Sequence, residues 1–192
     1  MLRNYFGSLQ TAWGCSNVQD FVQAGVSQRS AESFVEKKRD AEPEKVLAQI
    51  EKAGAHIVWF EDEEYPQRLL SIDSPPAILL VRGRLTADDG ISLAVVGTRK
   101  ISAQGRQMTD KLIPPLVHSG LAIVSGLAQG VDTAAHKATI ACGGRTIAIL
   151  GNGIDFVYPS QNEALARSIV EHGGAVVSEF GPGVQPLAHH FP

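Results

Sequence analysis

Residues 91–99 read ISLAVVGTR, an apolar run followed by a glycine, a threonine and an arginine. The same order of apolar run and small-residue loop returns at 121–130, 146–153 and 175–183, with a helical pattern between successive runs. Apolar strands joined by helical crossovers are typical of a parallel sheet that is covered on both faces. The sequence therefore predicts an α/β fold, a doubly wound Rossmann-like domain over residues 91–192.

The strands and helices of this domain are delimited by turn residues and caps. The predicted strands are Ile91–Val96, Leu121–Val124, Thr146–Leu150 and Ala175–Val177. The predicted helices run from Ser102 to about His118, from Asp132 to Cys142 and from Gln161 to Glu171.

All strand-to-helix loops of such a domain lie at the carboxyl edge of the sheet, where open α/β sheets bind their ligands. Glycines in these loops allow backbone N–H groups to approach one ligand, and the neighbouring helix N-termini add partial positive charge. Arg99 adds a full charge and a two-pronged donor at the same edge. The loops therefore predict a phosphate site, the alternative being that the glycines only form tight turns.

Neither standard nucleotide-binding motif is complete. No Gly-x-Gly-x-x-Gly follows the first strand, and after the third strand Phe156 stands where the last glycine of that motif belongs. A Gly-Lys-Ser/Thr triplet is also absent from the sequence. The pattern predicts phosphate binding of another type, and no cofactor is assigned.

The chain before residue 91 has two predicted parts. Residues 1–54 are expected to form a small helical module with an N-cap at Ser27. Residues 55–90 are expected to form a lead-in segment that packs on the Rossmann-like domain. The elements predicted here are helices at Gln28–Arg39 and Glu44–Ala53 and strands at His56–Phe60 and Ala77–Val81.

Composition indicates an ordinary globular protein, since 44% of the 192 residues are hydrophobic and 19% are charged. Residues 1–96 contain ten basic and fourteen acidic residues, a charge of −4, whereas residues 97–192 contain seven and six, a charge of +1. An anion site is therefore expected to be local and in the second half. Cys15 and Cys142 fit no metal-ligand spacing, and the uncharged stretch 112–131 is broken by glycines and prolines. We predict a cytoplasmic protein without a membrane span.

Asp132 and His136 stand four residues apart on a predicted helix and have two interpretations. They form an acid–base pair, or Asp132 caps the helix start while His136 packs beneath the loop, which we favour. No set of nucleophile, base and orienting group can be assembled, so the residues favour a binding protein over an enzyme. Adjacent His189 and His190 rarely aim at one ion, and no metal is assigned. Lys137 is either a surface residue or a phosphate ligand.

Several motifs, in the family's order, resemble the DNA processing protein A family, also called Smf. They are AVVGTR at 94–99, IVSGLAQGVDTAAH at 123–136, GGRT at 143–146, GNGIDFVYP at 151–159 and SEF at 178–180, preceded by YPQRL at 65–69 and DSPPAILL at 73–80. The similarity spans about 55–192. The N-terminal helices resemble, less specifically, the family's module of the sterile-alpha-motif or helix-hairpin-helix type.

The resemblance implies a cytoplasmic protein that binds single-stranded DNA without reading its sequence and that is not an enzyme. Family members protect incoming DNA during natural transformation, load RecA onto it and act as homodimers. Arg99 matches the family's phosphate-binding arginine, and Gly126, Gly130 and the 151–153 loop match its pocket wall. The implied partners are single-stranded DNA, RecA and a second copy of the chain, with no membrane.

The resemblance has one departure. The family continues past Phe191-Pro192 with a basic Arg-Asn-Arg segment, further Rossmann-like chain and often a small winged-helix domain. We therefore expect a fragment or a truncated form. Without the phosphate ligands of that segment, DNA binding is expected to be weaker and its salt dependence flatter, by about 0.7 units of slope per phosphate.

Binding of single-stranded DNA is thus the first hypothesis. The alternatives are a nucleotide hydrolase of the nucleoside-monophosphate phosphoribohydrolase type, whose Pro-Gly-Gly-x-Gly-Thr signature and catalytic glutamate are missing, and an inactive remnant. Phe180, His190 and Phe191 are expected to stack on bases, whereas Tyr158 either stacks or packs in the core. The residues expected to hold phosphates are Gly97, Thr98, Arg99, Ser125, Gly126, Leu127, Gln129, Gly130, Lys137, Gly151, Asn152 and Gly153.

Overall fold

The computed structural model describes residues 1–191, with Asp88 described by its backbone alone. Contacts divide the chain into two compact units, Met1–Glu44 and a second unit from Lys45 onward.

The first unit, as described, consists of four short helices packed around an aromatic core. The ring of Phe21 lies 5.1 Å from the rings of both Phe6 and Phe34, measured between centroids. The last helix has the predicted bounds, and Ser27 caps it by accepting a hydrogen bond from Ser30 N–H at 3.2 Å. The helices are α1 (Leu2–Phe6), α2 (Leu9–Gly14), α3 (Val18–Gln23) and α4 (Gln28–Arg39).

The strands that the structure describes all belong to one six-stranded sheet of the second unit. They are β1 (Ala55–Trp59), β2 (Ile78–Gly83), β3 (Ser92–Ala94), β4 (Ala122–Ser125), β5 (Thr146–Leu150) and β6 (Ala175–Ser178). The remaining helices are α5 (Pro43–Lys52), α6 (Ala103–His118), α7 (Val131–Ala141) and α8 (Glu163–Glu171).

The sheet confirms the predicted Rossmann-like fold. Its strand order is β1-β2-β6-β5-β4-β3, and β3 to β6 pair in parallel, each followed or preceded by the helix that crosses to its neighbour. The two strands of the lead-in segment extend the same sheet beyond β6, because β2 pairs antiparallel with β6 and β1 with β2.

The first predicted strand is shorter than expected. The prediction of Ile91–Val96 was wrong at both ends, since β3 covers only Ser92–Ala94. Val95 N–H still donates to the Val124 carbonyl at 2.9 Å, and Ser125 Oγ–H donates to the Val95 carbonyl at 2.6 Å. The hydroxyl therefore takes the acceptor that a longer strand would use, and the chain leaves the sheet early.

Each face of the sheet has its own core. On the helical face, Ile169 of α8 packs with Ala148 and Val176 from neighbouring strands. On the opposite face, the buried Tyr65 of the lead-in segment packs with Val177. Packing on both faces leaves the carboxyl edge of the parallel strands for the loops that follow them.

Candidate nucleic-acid interface

The first loop, at 97–100 after β3, carries two exposed cations. Gly97, Thr98, Arg99 and Lys100 are all exposed. Thr98 Oγ1 accepts a hydrogen bond from Lys100 N–H at 3.2 Å, which forms a tight turn. Lys100 was not among the predicted site residues, although its place directly after Arg99 is a sufficient signal.

The first loop touches the second loop, which covers 125–130 between β4 and α7. Val131 N–H, at the start of α7, donates to the Thr98 carbonyl at 3.2 Å. Gly130 has a φ of +87°, and a Cβ at this position would lie 2.8 Å from the carbonyl carbon of Arg99. Only glycine combines that conformation with so close an approach. Gln129, next to it, is exposed.

The inner half of the second loop is engaged within the protein. Ser125 is buried and its hydroxyl donates to Val95, as described above. Leu127 has a φ of +57° and a side chain that is fully buried in the core. Gly126 N–H donates to Asp132 Oδ2 at 3.0 Å. These contacts favour a structural role for Ser125, Gly126 and Leu127, and they leave the outer half of the loop as its exposed part.

The third loop, at 151–155 after β5, and the fourth loop, at 178–183 after β6, are held together by buried hydrogen bonds. Asn152 is fully buried, and its Nδ2 donates to the carbonyls of Gly153 and Phe156 at 2.9 Å each. Gly153 N–H donates to the Val184 carbonyl at 2.8 Å, and Ser178 Oγ–H donates to the Asn152 carbonyl at 2.6 Å. Asn152 Oδ1 has no hydrogen-bond partner among the described residues.

The tail that follows the fourth loop folds back over the third. His190 Nδ1 lies 3.0 Å from the Gly151 carbonyl oxygen, and its ring stacks on Phe180 with centroids 4.1 Å apart. The ring of Phe191 lies so close to Gly151 that a Cβ there would be 2.7 Å from a ring carbon. The guanidinium carbon of Arg99 lies 5.8 Å from the centroid of Phe191. The structure thus brings the three predicted stacking residues together with the predicted phosphate-binding arginine.

Tyr158 adds a fourth ring to this group. The residue is 45% exposed, and its ring centroid lies 6.4 Å from that of Phe191. Of the two interpretations of Tyr158, the structure favours a surface position over core packing.

Lys137 is exposed in the second turn of α7. It lines a cleft between α7 and α8 with Gln161 and Ser168. Its ammonium is therefore available to a ligand, at a position about 9 Å along the helix from its first residue.

Asp132 and His136 do not form an acid–base pair. The carboxylate of Asp132 accepts hydrogen bonds from the second loop, and His136 Nδ1 lies 2.7 Å from Thr146 Oγ1, which itself donates to the Ile123 carbonyl. His136 is fully buried, and desolvation lowers its pKa to about 4. The imidazole is neutral and packs between α7 and the sheet beside Thr146, at the amino end of β5. The structure therefore supports the favoured interpretation of Asp132 at the helix start, but it places His136 toward the opposite edge of the sheet and not beneath the loop.

The described part of the chain lacks both a metal-ligand cluster and a membrane-spanning helix. Residues 1–191, apart from the Asp88 side chain, contain no group of three or more histidine, cysteine or acidic side chains placed to hold a metal ion. Among the same residues, no helix is long and apolar enough to cross a bilayer.

Comparison with protein families and curated proteins gives consistent matches. Residues 56–192 match the family model described as DNA recombination-mediator protein A. The chain is 39% identical over 170 residues to protein Smf of Escherichia coli (strain K12), a match that covers 88% of this chain and 45% of that protein. The chain spans about half the length of the curated relatives it matches.

Two solved structures are also similar. DNA processing protein A from Streptococcus pneumoniae matches with a TM-score of 0.72 and 37% identity, covering 84% of this chain and 56% of that one. DNA processing protein A from Helicobacter pylori, whose structure concerns its single-stranded DNA binding mode, matches with a TM-score of 0.61 and 28% identity, covering 71% and 60%.

Proposed function

Since the chain belongs to the DNA recombination-mediator protein A family, whose members include DNA processing proteins, we propose that the loop edge of its sheet binds single-stranded DNA. One observation carries the proposal: the Arg99 guanidinium lies 5.8 Å from the ring of Phe191 at a glycine-lined edge. Non-specific binders of single strands combine cations that follow the backbone with aromatic rings on which bases stack.

The phosphates are held from the first and second loops. Arg99 provides the two-pronged contact, and exposed Thr98, Lys100 and Gln129 lie along the same edge. Lys137 binds a phosphate further along the DNA strand, beside the cleft between α7 and α8. The remaining predicted residues of the edge form its wall. The glycines keep the backbone close, and the buried Ser125, Leu127 and Asn152 hold the loops in place. These glycines are Gly97, Gly126, Gly130, Gly151 and Gly153.

The bases stack on rings of the tail and of the loops that the tail covers. Phe191, His190, Phe180 and Tyr158 form a contiguous group next to Arg99. Every base has a π face, so a stacking platform of this kind binds without reading sequence. The proposal is therefore of a sequence-independent binding protein rather than an enzyme.

In the whole protein, this activity protects incoming DNA and loads RecA onto it during natural transformation, in the cytoplasm and as a homodimer. The family membership supports this role, and the Helicobacter pylori relative binds single-stranded DNA. These partners and the homodimer belong to the proposal for the whole protein.

The test is the affinity of the chain for fluorescein-labelled oligo-dT, measured by anisotropy at several salt concentrations. Replacing Arg99 by alanine removes a charge-assisted bond worth about 1.5–3 kcal/mol, so we expect roughly 10- to 100-fold weaker binding. The negative slope of log K against log salt should also become shallower by about 0.7 for each phosphate that the variant no longer binds.

Arg84→Ala is the matched control. Arg84 is an exposed arginine that directly follows β2, at the opposite edge of the same sheet. The proposal expects the control to bind like the unchanged chain. Equal weakening by both substitutions would mean that only general charge attracts DNA, and no weakening by Arg99→Ala would remove Arg99 from the interface.

A further inference from the structure

The carboxylate of Asp132 organises the second loop. The residue lies in the first turn of α7 and is 5% exposed. Its Oδ2 accepts hydrogen bonds from the N–H groups of Gly126 at 3.0 Å and Ala128 at 3.3 Å. One buried charged acceptor therefore bends the backbone that enters α7. Bonds of this kind, between a carboxylate and backbone N–H groups, are stronger than neutral ones.

The same bend is supported by Asn162, the residue that immediately precedes α8. Asn162 is buried, and its Nδ2 donates to the Leu127 carbonyl at 2.7 Å and to Thr133 Oγ1 at 2.9 Å. The inner half of the loop is thus held on both sides, by Asp132 through its N–H groups and by Asn162 through a carbonyl.

The bend is linked to the first loop by direct backbone contacts. The outer half of the second loop ends in Gly130 and Val131, which contact the backbone of Thr98 and Arg99. The link includes the hydrogen bond from Val131 N–H to the Thr98 carbonyl. Asp132 is therefore connected to the backbone of Arg99 through one loop and one hydrogen bond, with no contact between the two side chains needed.

We infer that Asp132 is a positioning residue for DNA binding, because it holds the first loop, which carries Arg99, in the conformation that engages phosphate. This inference rests on the proposed function. An anionic side chain in a phosphate site would repel the ligand, but the burial of Asp132 and its two backbone bonds direct its charge inward.

The test compares Asp132→Ala and Asp132→Asn with Arg99→Ala in the same oligo-dT titration. Without Asp132, the Arg99 loop is released, so we expect Asp132→Ala to lose affinity roughly tenfold and to lower the salt slope by about 0.7, as Arg99→Ala does. Asparagine keeps one oxygen acceptor of the same shape, so Asp132→Asn should recover most of the affinity. The double variant Asp132→Ala with Arg99→Ala should bind no more weakly than Arg99→Ala alone, because both changes remove the same interaction with phosphate.

Asp89→Asn controls for general destabilisation. Asp89 is also a buried carboxylate, 8% exposed, but it pairs with Arg145, which precedes β5 at the opposite edge of the sheet. Its loss should lower the unfolding temperature without changing the salt slope. A normal salt slope for Asp132→Ala, or additive losses in the double variant, would overturn the positioning role while leaving the function of Arg99 intact.

Amide hydrogen exchange measures, without DNA, how firmly Asp132 holds the two loops. It also provides a test in the case in which Asp132→Ala fails to fold. Asparagine replaces the two charge-assisted bonds by weaker neutral ones. In Asp132→Asn, the N–H groups of Gly126, Ala128 and Val131 should therefore exchange somewhat faster than in the unchanged chain even though most of the affinity is kept, while those of β5 stay the same. Unchanged exchange at Val131 would overturn the inference. Fast exchange at Val131 together with no effect of Arg99→Ala on DNA would instead locate the failure in the proposed function.

Discussion

Acidification should destabilise the second unit through His136. The imidazole is fully buried, and burial lowers its pKa from 6.5 to about 4. Nδ1 is paired with Thr146 Oγ1, whereas Nε2 is buried without a hydrogen-bond partner among the described residues. Protonation would place an N–H and a positive charge at an apolar position, which is why the folded state resists it.

The two pKa values of His136 determine the direction and the size of the change in the free energy of unfolding. The unfolded chain takes up the proton near pH 6.5 and the folded chain only near pH 4, so the free energy of unfolding falls as the pH drops through this window. Across the whole window the free energy of unfolding falls by about 3 kcal/mol, and about 2 kcal/mol of this is lost between pH 7 and pH 5. Above pH 7 His136 is neutral in both states and adds no pH dependence.

The assay is urea unfolding at pH 7 and pH 5, followed by the fluorescence of Trp59 in a Trp13→Phe background, so that the signal reports the second unit. His136→Phe removes the titrating group, and we expect its loss of stability between the two pH values to be smaller than that of the unchanged chain by about 2 kcal/mol. The contributions of carboxylates that titrate in this range are the same in both chains and therefore cancel when the variant is compared with the unchanged chain.

His172→Gln is the control, because His172 is an exposed histidine that follows α8 in the same unit. It should leave the pH dependence unchanged. The reasoning is refuted if His136→Phe loses as much stability between pH 7 and pH 5 as the unchanged chain does.

Two further substitutions test other parts of the molecule. The guanidinium of Arg145 donates to the buried carboxylate of Asp89 and to the carbonyls of Arg84 and Gly173. Arg145→Met should therefore lower the free energy of unfolding in urea by about 3 kcal/mol. A loss below about 1 kcal/mol would contradict that pairing. Phe191→Ala should weaken oligo-dT binding by about 1–3 kcal/mol while Phe191→Trp retains it, and anisotropy that finds the two variants equal would exclude stacking at this position.

The elements with locally determined boundaries can be predicted from sequence. Helix α4 matches its prediction to the residue because Ser27 caps it, and β5 matches because glycines flank it closely on both sides. Strand β3 ends early for a non-local reason, a hydroxyl from Ser125 that lies thirty residues away along the chain.

The same distinction applies to the candidate interface. Arg99 and its edge of the sheet follow from the strand–loop pattern, but the direction of each loop N–H group depends on partners elsewhere. Asn162 holds Leu127 from 35 residues away, and His190 lies against Gly151 from 39 residues away. Sequence therefore identifies the loops of the site, and the structure identifies which of their residues are exposed and which are engaged inside.

The central claim is that single-stranded DNA lies along the loop edge of the sheet. Titration of unlabelled oligo-dT into the ¹⁵N-labelled chain tests this directly, because amide chemical shifts report where the ligand contacts the backbone. We expect shifts at Thr98–Lys100, at Gln129 and Gly130 and in the tail at 188–191, with none at Gly143–Arg145 on the opposite edge. Shifts confined to the opposite edge or to the first unit would contradict it.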